Sequence, residues 1–273
     1  MLPTRTIFII SDGTGITAEH LGNSLLSQFD NINFERKIIP YIDTIEKATA
    51  FAQDINQLYA SSKLKPIIFA TLVNPAITAI IQQTQAKLFD LFNTFLMPLE
   101  QELQQHSSYT VGKTHGVNNI QSYSERIEAI NYALSHDDGI KVNDYARADI
   151  LLVGVSRCGK TPSCLYMALH FGILAANYPF TEEDLISTDL PKLLHPYRAK
   201  LFGLTIDPKR LQHIRNERRP NSRYAALQQC QHEVSQVERM YQLEKIPFLN
   251  STHFSIEEIA TKIMATAGIA RKF

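Results

Sequence analysis

Ala148-Asp149-Ile150-Leu151-Leu152-Val153-Gly154-Val155-Ser156-Arg157-Cys158-Gly159-Lys160-Thr161 is the stretch on which the fold turns. Its first six residues form an apolar, β-rich run that reads as a buried strand. Its last eight fit G-x-x-x-x-G-K-[ST], the phosphate-binding loop. Thr161 to Phe171 continue as a helix, with Pro162 tolerated in the first turn because the N–H it lacks has no intrahelical partner there. The chemistry explains the residue types. A glycine-rich turn aims successive backbone N–H groups at one point, the lysine adds a mobile cation, and the threonine hydroxyl can ligate Mg²⁺. Gly154, Val155, Ser156, Arg157, Cys158, Gly159, Lys160 and Thr161 are therefore the expected nucleotide-binding residues. Lys160 is also a candidate catalytic cation and Thr161 a candidate metal ligand. The plainer alternative is an incidental glycine turn between strand and helix; the strand–loop–helix context that the motif demands favours the phosphate loop.

Outward from this loop, strand and helix alternate along the chain. Arg5 to Ile10 is an apolar β-rich run, and Ser11-Asp12-Gly13-Thr14-Gly15 a turn. Ile16 to Phe29 is helical by the spacing of Ile16, Leu21, Leu25, Leu26 and Phe29. A strand at Ile38–Ile42, a helix at Thr44–Tyr59 capped by Asp43 or Thr44, a strand at Pro66–Val73 and a helix from Pro75 follow. Residues 87–104 are apolar at mixed spacing and assign to neither type. Beyond the phosphate loop come a strand at Lys200–Ile206, helices from Pro208 and over Ser222–Leu243, a strand at Ile246–Leu249 and a helix at Ser255–Ala267. Ser255 and Glu258 fit a capping box. This alternation predicts an α/β protein whose parallel sheets have flanking helices. The expected layout is an N-terminal Rossmann-like α/β unit over residues 1–105, a linker and helix with an acidic turn over 106–143, and a P-loop kinase-like nucleotide-binding unit over 144–273. No internal repeat is visible.

Composition bounds the function. The 273 residues carry 27 basic and 27 acidic side chains, so the zero net charge argues for neither nucleic acid nor membrane as partner. No apolar stretch reaches the length of a membrane span, and Met1 to Ile10 lacks the features of a signal peptide. Cys158, Cys164 and Cys230 form no C-x-x-C pair and suit a reducing compartment, so a cytoplasmic location is expected. Cys158 lies inside the loop, where Lys160 can activate its thiol, or where it simply fills space. Only Arg5 and Arg36 precede residue 120 and eleven arginines follow it, which marks the second part as the one that handles anions.

Several side chains are candidates for chemistry. Asp137 and Asp138, in the turn that ends the helix Gln121–Ser135, can hold a Mg²⁺ water or accept a substrate proton, or simply solvate a helix end. Asp207 closes a strand and can support Mg²⁺ or cap the next helix. Arg210, Arg215, Arg218, Arg219 and Arg223 lie within fourteen residues. Of these, Arg215, Arg218 and Arg219 are the candidate contacts to a transferring phosphoryl group, the alternative being a solvated basic face or a dock for an acidic partner. The Ser11–Gly15 turn can bind phosphate at a helix start or merely connect strand to helix. No guanine-recognition N-K-x-D, no H-R-D or D-F-G of protein kinases and no zinc-ligand spacing is present.

Five segments taken together resemble one family. They are Ser11-Asp-Gly-Thr-Gly-Ile-Thr-Ala-Glu19; Arg126-Ile-Glu-Ala129 with His136-Asp-Asp-Gly139; Ala148 through Pro162; Gly203-Leu-Thr-Ile206; and Ile256-Glu-Glu-Ile-Ala260. In this order they are similar to the bacterial and plant regulatory proteins of pyruvate phosphate dikinase and phosphoenolpyruvate synthase, over essentially the whole chain. The Ser-Asp-Gly-Thr-Gly-Ile-Thr-Ala-Glu opening resembles the synthase branch; the dikinase branch more often has Ser-Asp-Ser-Thr-Gly-Glu-Thr there. The resemblance implies an ADP-dependent serine/threonine kinase that inactivates its target enzyme. It also implies a phosphate-dependent, pyrophosphate-releasing activity that removes the phosphate again. ADP and inorganic phosphate would be substrates, with Mg²⁺ as the accompanying ion and phosphoenolpyruvate synthase as protein partner. The family's nucleotide loop maps onto Gly154–Thr161 without a gap. Lys160, Asp137, Asp138 and Asp207 are the candidates for catalysis, and no one of the three carboxylates is singled out as base. A homodimer is the expected assembly because two-fold dimers are the commonest oligomers. The rivals are the same chemistry on pyruvate phosphate dikinase, an ATP-dependent small-molecule kinase, and a non-catalytic nucleotide sensor.

Overall fold

Residues 2–110, 120–139 and 142–272 are described by a computed structural model. The chain divides into two compact units, Met1–Gly116 and Val117–Phe273. Each is an α/β unit built on a four-stranded, all-parallel sheet. Of the segment 106–119 read as linker, residues 111–119 lie outside the described residues. The helix and acidic turn that follow belong to the second unit.

The first unit runs β1 (Thr4–Ser11), α1 (Ile16–Leu26), β2 (Asn33–Ile39), α2 (Ile45–Ser62), β3 (Ile67–Thr71), α3 (Pro75–Gln82), β4 (Lys87–Asp90) and α4 (Asn93–Leu103). Its strand order is β2-β1-β3-β4. Period-two alternation sends Ile7 and Ile9 to one face, where they meet Ala18 and Leu26 of α1. Phe8 and Ile10 go to the other, against Ala48, Phe51 and Ile55 of α2 and Ile77 and Ile81 of α3. Two sequence expectations change here. The strand expected at Ile38–Ile42 is Asn33–Ile39, because an edge strand is held on one side only and tolerates the exposed Glu35, Arg36 and Lys37 that hide it from an apolar-run reading. Residues 87–104 resolve into β4 and α4. The mixed spacing was a short strand followed at once by a helix.

The second unit runs α5 (Ile120–Ser135), β5 (Ile150–Gly154), α6 (Lys160–Phe171), β6 (Ala175–Pro179), β7 (Leu201–Thr205), α7 (Pro208–Arg218), α8 (Leu227–Glu244), β8 (Phe248–Asn250) and α9 (Ile256–Ala267), with short 3₁₀ turns between. Its strand order is β6-β5-β7-β8. β5 and β7 are buried along their whole length, as central strands covered on both faces must be. The two sheets share one topology: in each, the first strand sits between the second and third. No sequence repeat announces this, since topology is carried by apolar periodicity and not by residue identity. In such sheets the crevice at the carboxyl ends of the strands, where successive connections leave to opposite sides, is the place for ligands. In the second unit that point lies between β5 and β7, and the phosphate loop starts there.

In the first unit the equivalent point carries the Ser11–Gly15 turn. Ser11 Oγ donates to Thr71 O at 3.1 Å and accepts from Gly13 N at 3.0 Å. Buried Asp12 accepts from Val73 N through Oδ2 at 2.6 Å. Burial raises the carboxyl of Asp12 above its ordinary range, and the Val73 N–H opposes that. Among the described residues no helix is long and apolar enough to cross a membrane.

Candidate functional site

The phosphate loop is built by two glycines and braced by its own lysine and by neighbours from other elements. A side chain at Gly154 would collide with the Leu204 carbonyl oxygen and come within 2.9 Å of Cys158 Sγ, so β5 and β7 can approach only over a glycine. Gly159 has φ 99, a conformation side chains resist, and as the N-cap of α6 it has no side chain to bond the helix's first N–H groups. Those open donors and the helix dipole favour an anion. Lys160, buried although charged, donates Nζ–H to Gly154 O at 3.1 Å and Val155 O at 2.9 Å. Ser251 Oγ donates to Cys158 O at 2.9 Å, and Phe180 N to Gly154 O at 3.0 Å. Beneath the loop, Tyr241 of α8 donates its hydroxyl to Val153 O and Leu204 O at 2.9 and 3.2 Å, stitching the two strands where they part.

The acidic turn meets this loop in space. Thr161 Oγ1 donates to Asp137 Oδ1 at 2.7 Å. Asn177 of β6, buried, clamps both carboxylate residues: its Nδ2 donates to Asp137 Oδ1 at 2.5 Å and its Oδ1 accepts from Asp138 N at 3.1 Å. Asp138 takes a left-handed backbone (φ 49, ψ 32), which aspartate tolerates better than most residues. A cavity of about 460 Å³ collects Asp137, Asp138, Ser156, Arg157, Gly159, Lys160, Thr161, Pro162 and Arg218. Three cations, Arg157, Lys160 and Arg218, thus face two carboxylates across a site of ligand size.

Not every expected residue is there. Gly154, Val155 and Cys158 lie under the loop and shape it. Burial raises the Cys158 thiol above its ordinary range, with Lys160 opposing, and the buried side chain fills space. Asp207 is outside the phosphate cavity: its carboxylate accepts from Lys209 N and Arg210 N at 2.9 and 3.0 Å and caps α7. Arg219 is exposed at the end of α7 and does not line the cavity. Arg215 departs furthest from expectation. It is wholly buried and pairs with Glu233 of α8, Nη2 to Oε2 at 2.6 Å. The same guanidinium donates to Ser156 O at 3.1 Å and Tyr224 O at 3.0 Å, and its carbon sits 4.1 Å from the Tyr224 ring centroid. Tyr224 OH in turn bonds Ser156 Oγ at 2.9 Å. Arg215 therefore holds the loop from behind and cannot reach a phosphate.

The sequence reading missed Asn177, Glu233 and Tyr224. The first two did leave a signal. Asn177 is the lone polar residue after the apolar run Ile173–Ala176, and Glu233 is an acid on the helix stripe Cys230, Val234, Val237 and Tyr241. Removing one partner of a buried ion pair strands the other charge, so Glu233→Ala should destabilise the protein by about 3–5 kcal/mol. Joint replacement by Arg215→Met and Glu233→Leu should restore much of that in a denaturant titration. A loss below about 1 kcal/mol for the single variant would mean that Arg215 is held by other groups.

The Kinase/pyrophosphorylase family matches this chain over residues 7–264. A phosphoenolpyruvate synthase regulatory protein, as it is named, of Legionella pneumophila (strain Corby) is 62% identical over 268 residues, which is 98% of this chain and 99% of that one. Proteins of the same name from Pseudomonas aeruginosa (strain UCBPP-PA14) and Pseudomonas fluorescens (strain Pf0-1) are 57% and 56% identical over 269 residues. They cover 98% of this chain and 98% and 99% of their own.

Proposed function

The chain belongs to the kinase/pyrophosphorylase family, and on that footing we propose that it regulates phosphoenolpyruvate synthase by phosphorylating a threonine with ADP and removing that phosphate with inorganic phosphate. The observation that carries this reading is the meeting of a cation-lined phosphate loop with Asp137 and Asp138 in one cavity. Both directions move one phosphoryl group between a threonine oxygen and a phosphate oxygen, so one anion cradle and one proton-handling carboxylate serve both.

The two carboxylates divide the work. Asp137 is tied to Thr161 and Asn177, which makes it a positioning group. Asp138 is exposed on the cavity wall and is the proton carrier. In the first direction Asp138 accepts the threonine proton, the oxygen attacks the terminal phosphorus of ADP, the bond to the bridging oxygen breaks, and AMP leaves. In the second, an oxygen of hydrogen phosphate attacks the phosphorus of phosphothreonine and the P–Oγ bond breaks. Asp138 then relays the proton of hydrogen phosphate to the threonine oxygen, and pyrophosphate leaves. Charge and protons balance in each.

The Lys160 ammonium has its third and weakest contact at Cys158 Sγ, 4.0 Å away, and a phosphate oxygen can replace that contact without loosening the loop. Arg157 and Arg218 offset charge that spreads over the transferring group. Thr161 Oγ1 and the Asp137 carboxylate are hard oxygen donors of the kind Mg²⁺ takes beside substrate phosphates; bound there, the ion would neutralise phosphate charge.

The test is incubation of the protein with β-labelled ADP and phosphoenolpyruvate synthase, with pyruvate phosphate dikinase in parallel, followed by phosphoamino-acid analysis. Labelled phosphothreonine on the synthase, released as pyrophosphate on adding phosphate, is the expected result. Label carried to a small metabolite in a parallel incubation with γ-labelled ATP, or nucleotide binding with no transfer, would replace this reading by a metabolite kinase or a sensor.

A further inference from the structure

A second cavity, of about 590 Å³, takes no part in the chemistry above. It opens between the first turns of α7 and the segment after β8. Its walls are locked by their own hydrogen bonds. Asp207 N donates to Thr252 Oγ1 at 2.7 Å, and Asn250 Oδ1 accepts from Thr252 N and Oγ1 at 3.0 and 2.5 Å. With Asp207 already capping α7, the N–H groups of Lys209 and Arg210 at the helix start are satisfied. The cavity's lining includes the planar, hydrogen-bonding side chains Arg210, His253 and Asn250 beside Lys209 and His213, and Asn250, whose Oδ1 is taken by Thr252, keeps its amide nitrogen as a donor.

Two links join this cavity to the phosphate loop. Ser251, between Asn250 and Thr252, donates to Cys158 O inside the loop. Helix α7 carries Arg210 to this cavity and Arg218 to the phosphate cavity. Those residues are eight apart, hence about 12 Å along the helix, a span that a ribose and a diphosphate bridge. We propose that this cavity takes the purine nucleoside half of the diphosphate donor, whose phosphates run to the loop. The base lies against the planes of Arg210 and His253, as unpaired bases do on guanidinium and imidazole groups. The Asn250 amide donates to an acceptor nitrogen on its edge. The inference rests on the donor reading above and names residues for the part of that donor which the loop does not hold.

The two directions separate the possibilities, because inorganic phosphate has no nucleoside. Asn250→Asp removes the amide donor yet keeps the oxygen that Thr252 needs, and His253→Ala removes one plane. Each should raise the KM for ADP about tenfold, the effect of one good hydrogen bond or stacking contact. The KM for inorganic phosphate in the reverse direction should stay within about twofold. A rise in both constants, as a disturbed loop would cause, or a rise in neither, overturns the proposal. Calorimetric titration of the full chain with ADP and with inorganic pyrophosphate gives a readout independent of phosphate transfer. The unaltered protein should prefer ADP by about tenfold or more, and the double variant should lose that preference. If the unaltered protein transfers nothing but the preference vanishes in the variant, the nucleoside cavity stands and the kinase reading falls. If the variant keeps the preference, the cavity proposal falls.

Discussion

Lys160→Ala is expected to lower threonine phosphorylation and phosphorolysis together, each by roughly 10³-fold or more, the scale on which lost charge stabilisation in phosphoryl and acyl transfer is felt. The lysine is the buried cation of the loop and lines the phosphate cavity. Its loss removes the attraction for ADP's terminal phosphate and for inorganic phosphate alike. It also leaves Gly154 O and Val155 O without the ammonium they now accept from. A stability loss of about 1–3 kcal/mol should accompany the kinetic effect, too small to unfold a two-unit α/β protein. Initial rates in both directions, with unfolding followed by circular dichroism, check this. Loss of one direction alone would mean that the two activities use different anion sites, and the shared-cavity reading would be abandoned.

Asp138→Asn is expected to have the next largest effect, about 10²–10⁴-fold on both rates, the range of general acid–base catalysis. Asparagine suits the test because it too tolerates the left-handed backbone at this position, and the N–H bonded to Asn177 Oδ1 is unchanged. Stability and the KM for ADP should therefore hold while kcat falls. The companion Asp137→Asn should behave differently. Asp137 accepts from both Thr161 and Asn177, so its loss should disturb the loop and raise the KM for ADP along with lowering kcat. If Asp138→Asn left kcat within about threefold of the unaltered protein, the proton would have to be carried by another group.

How much of this was legible beforehand depended on the range of the interaction. The loop Gly154–Thr161 was readable residue by residue, because its function needs fixed spacings within one turn of chain. The helix caps were readable for the same reason. Thr44 accepts from Lys47 N, and Ser255 and Glu258 form the reciprocal pair that their spacing announced. Edges were harder. β2 lacks the apolar run that marks a central strand, and β6 is a short edge strand whose buried residues Ala175–Asn177 offer little β-rich signal.

The arginine cluster shows the limit most plainly. Arg210, Arg215 and Arg218 share one helix, Arg219 ends it, and all four carry the same charge, so sequence spacing alone treats them as equals. Their fates are set by what packs against each face of α7. Arg215 turns inward to Glu233, eighteen residues away in the chain. Arg218 reaches the phosphate cavity and Arg210 the neighbouring one, while Arg219 stays in solvent. Asp137 and Asp207 were likewise equal candidates, and only the approach of the acidic turn to Thr161 separated them. Short-range patterns such as loops, caps and apolar periods are encoded where they act, so they survive in the one-dimensional chain. Partners brought together across tens of residues depend on sheet order and helix packing, which place side chains by geometry that no local stretch contains.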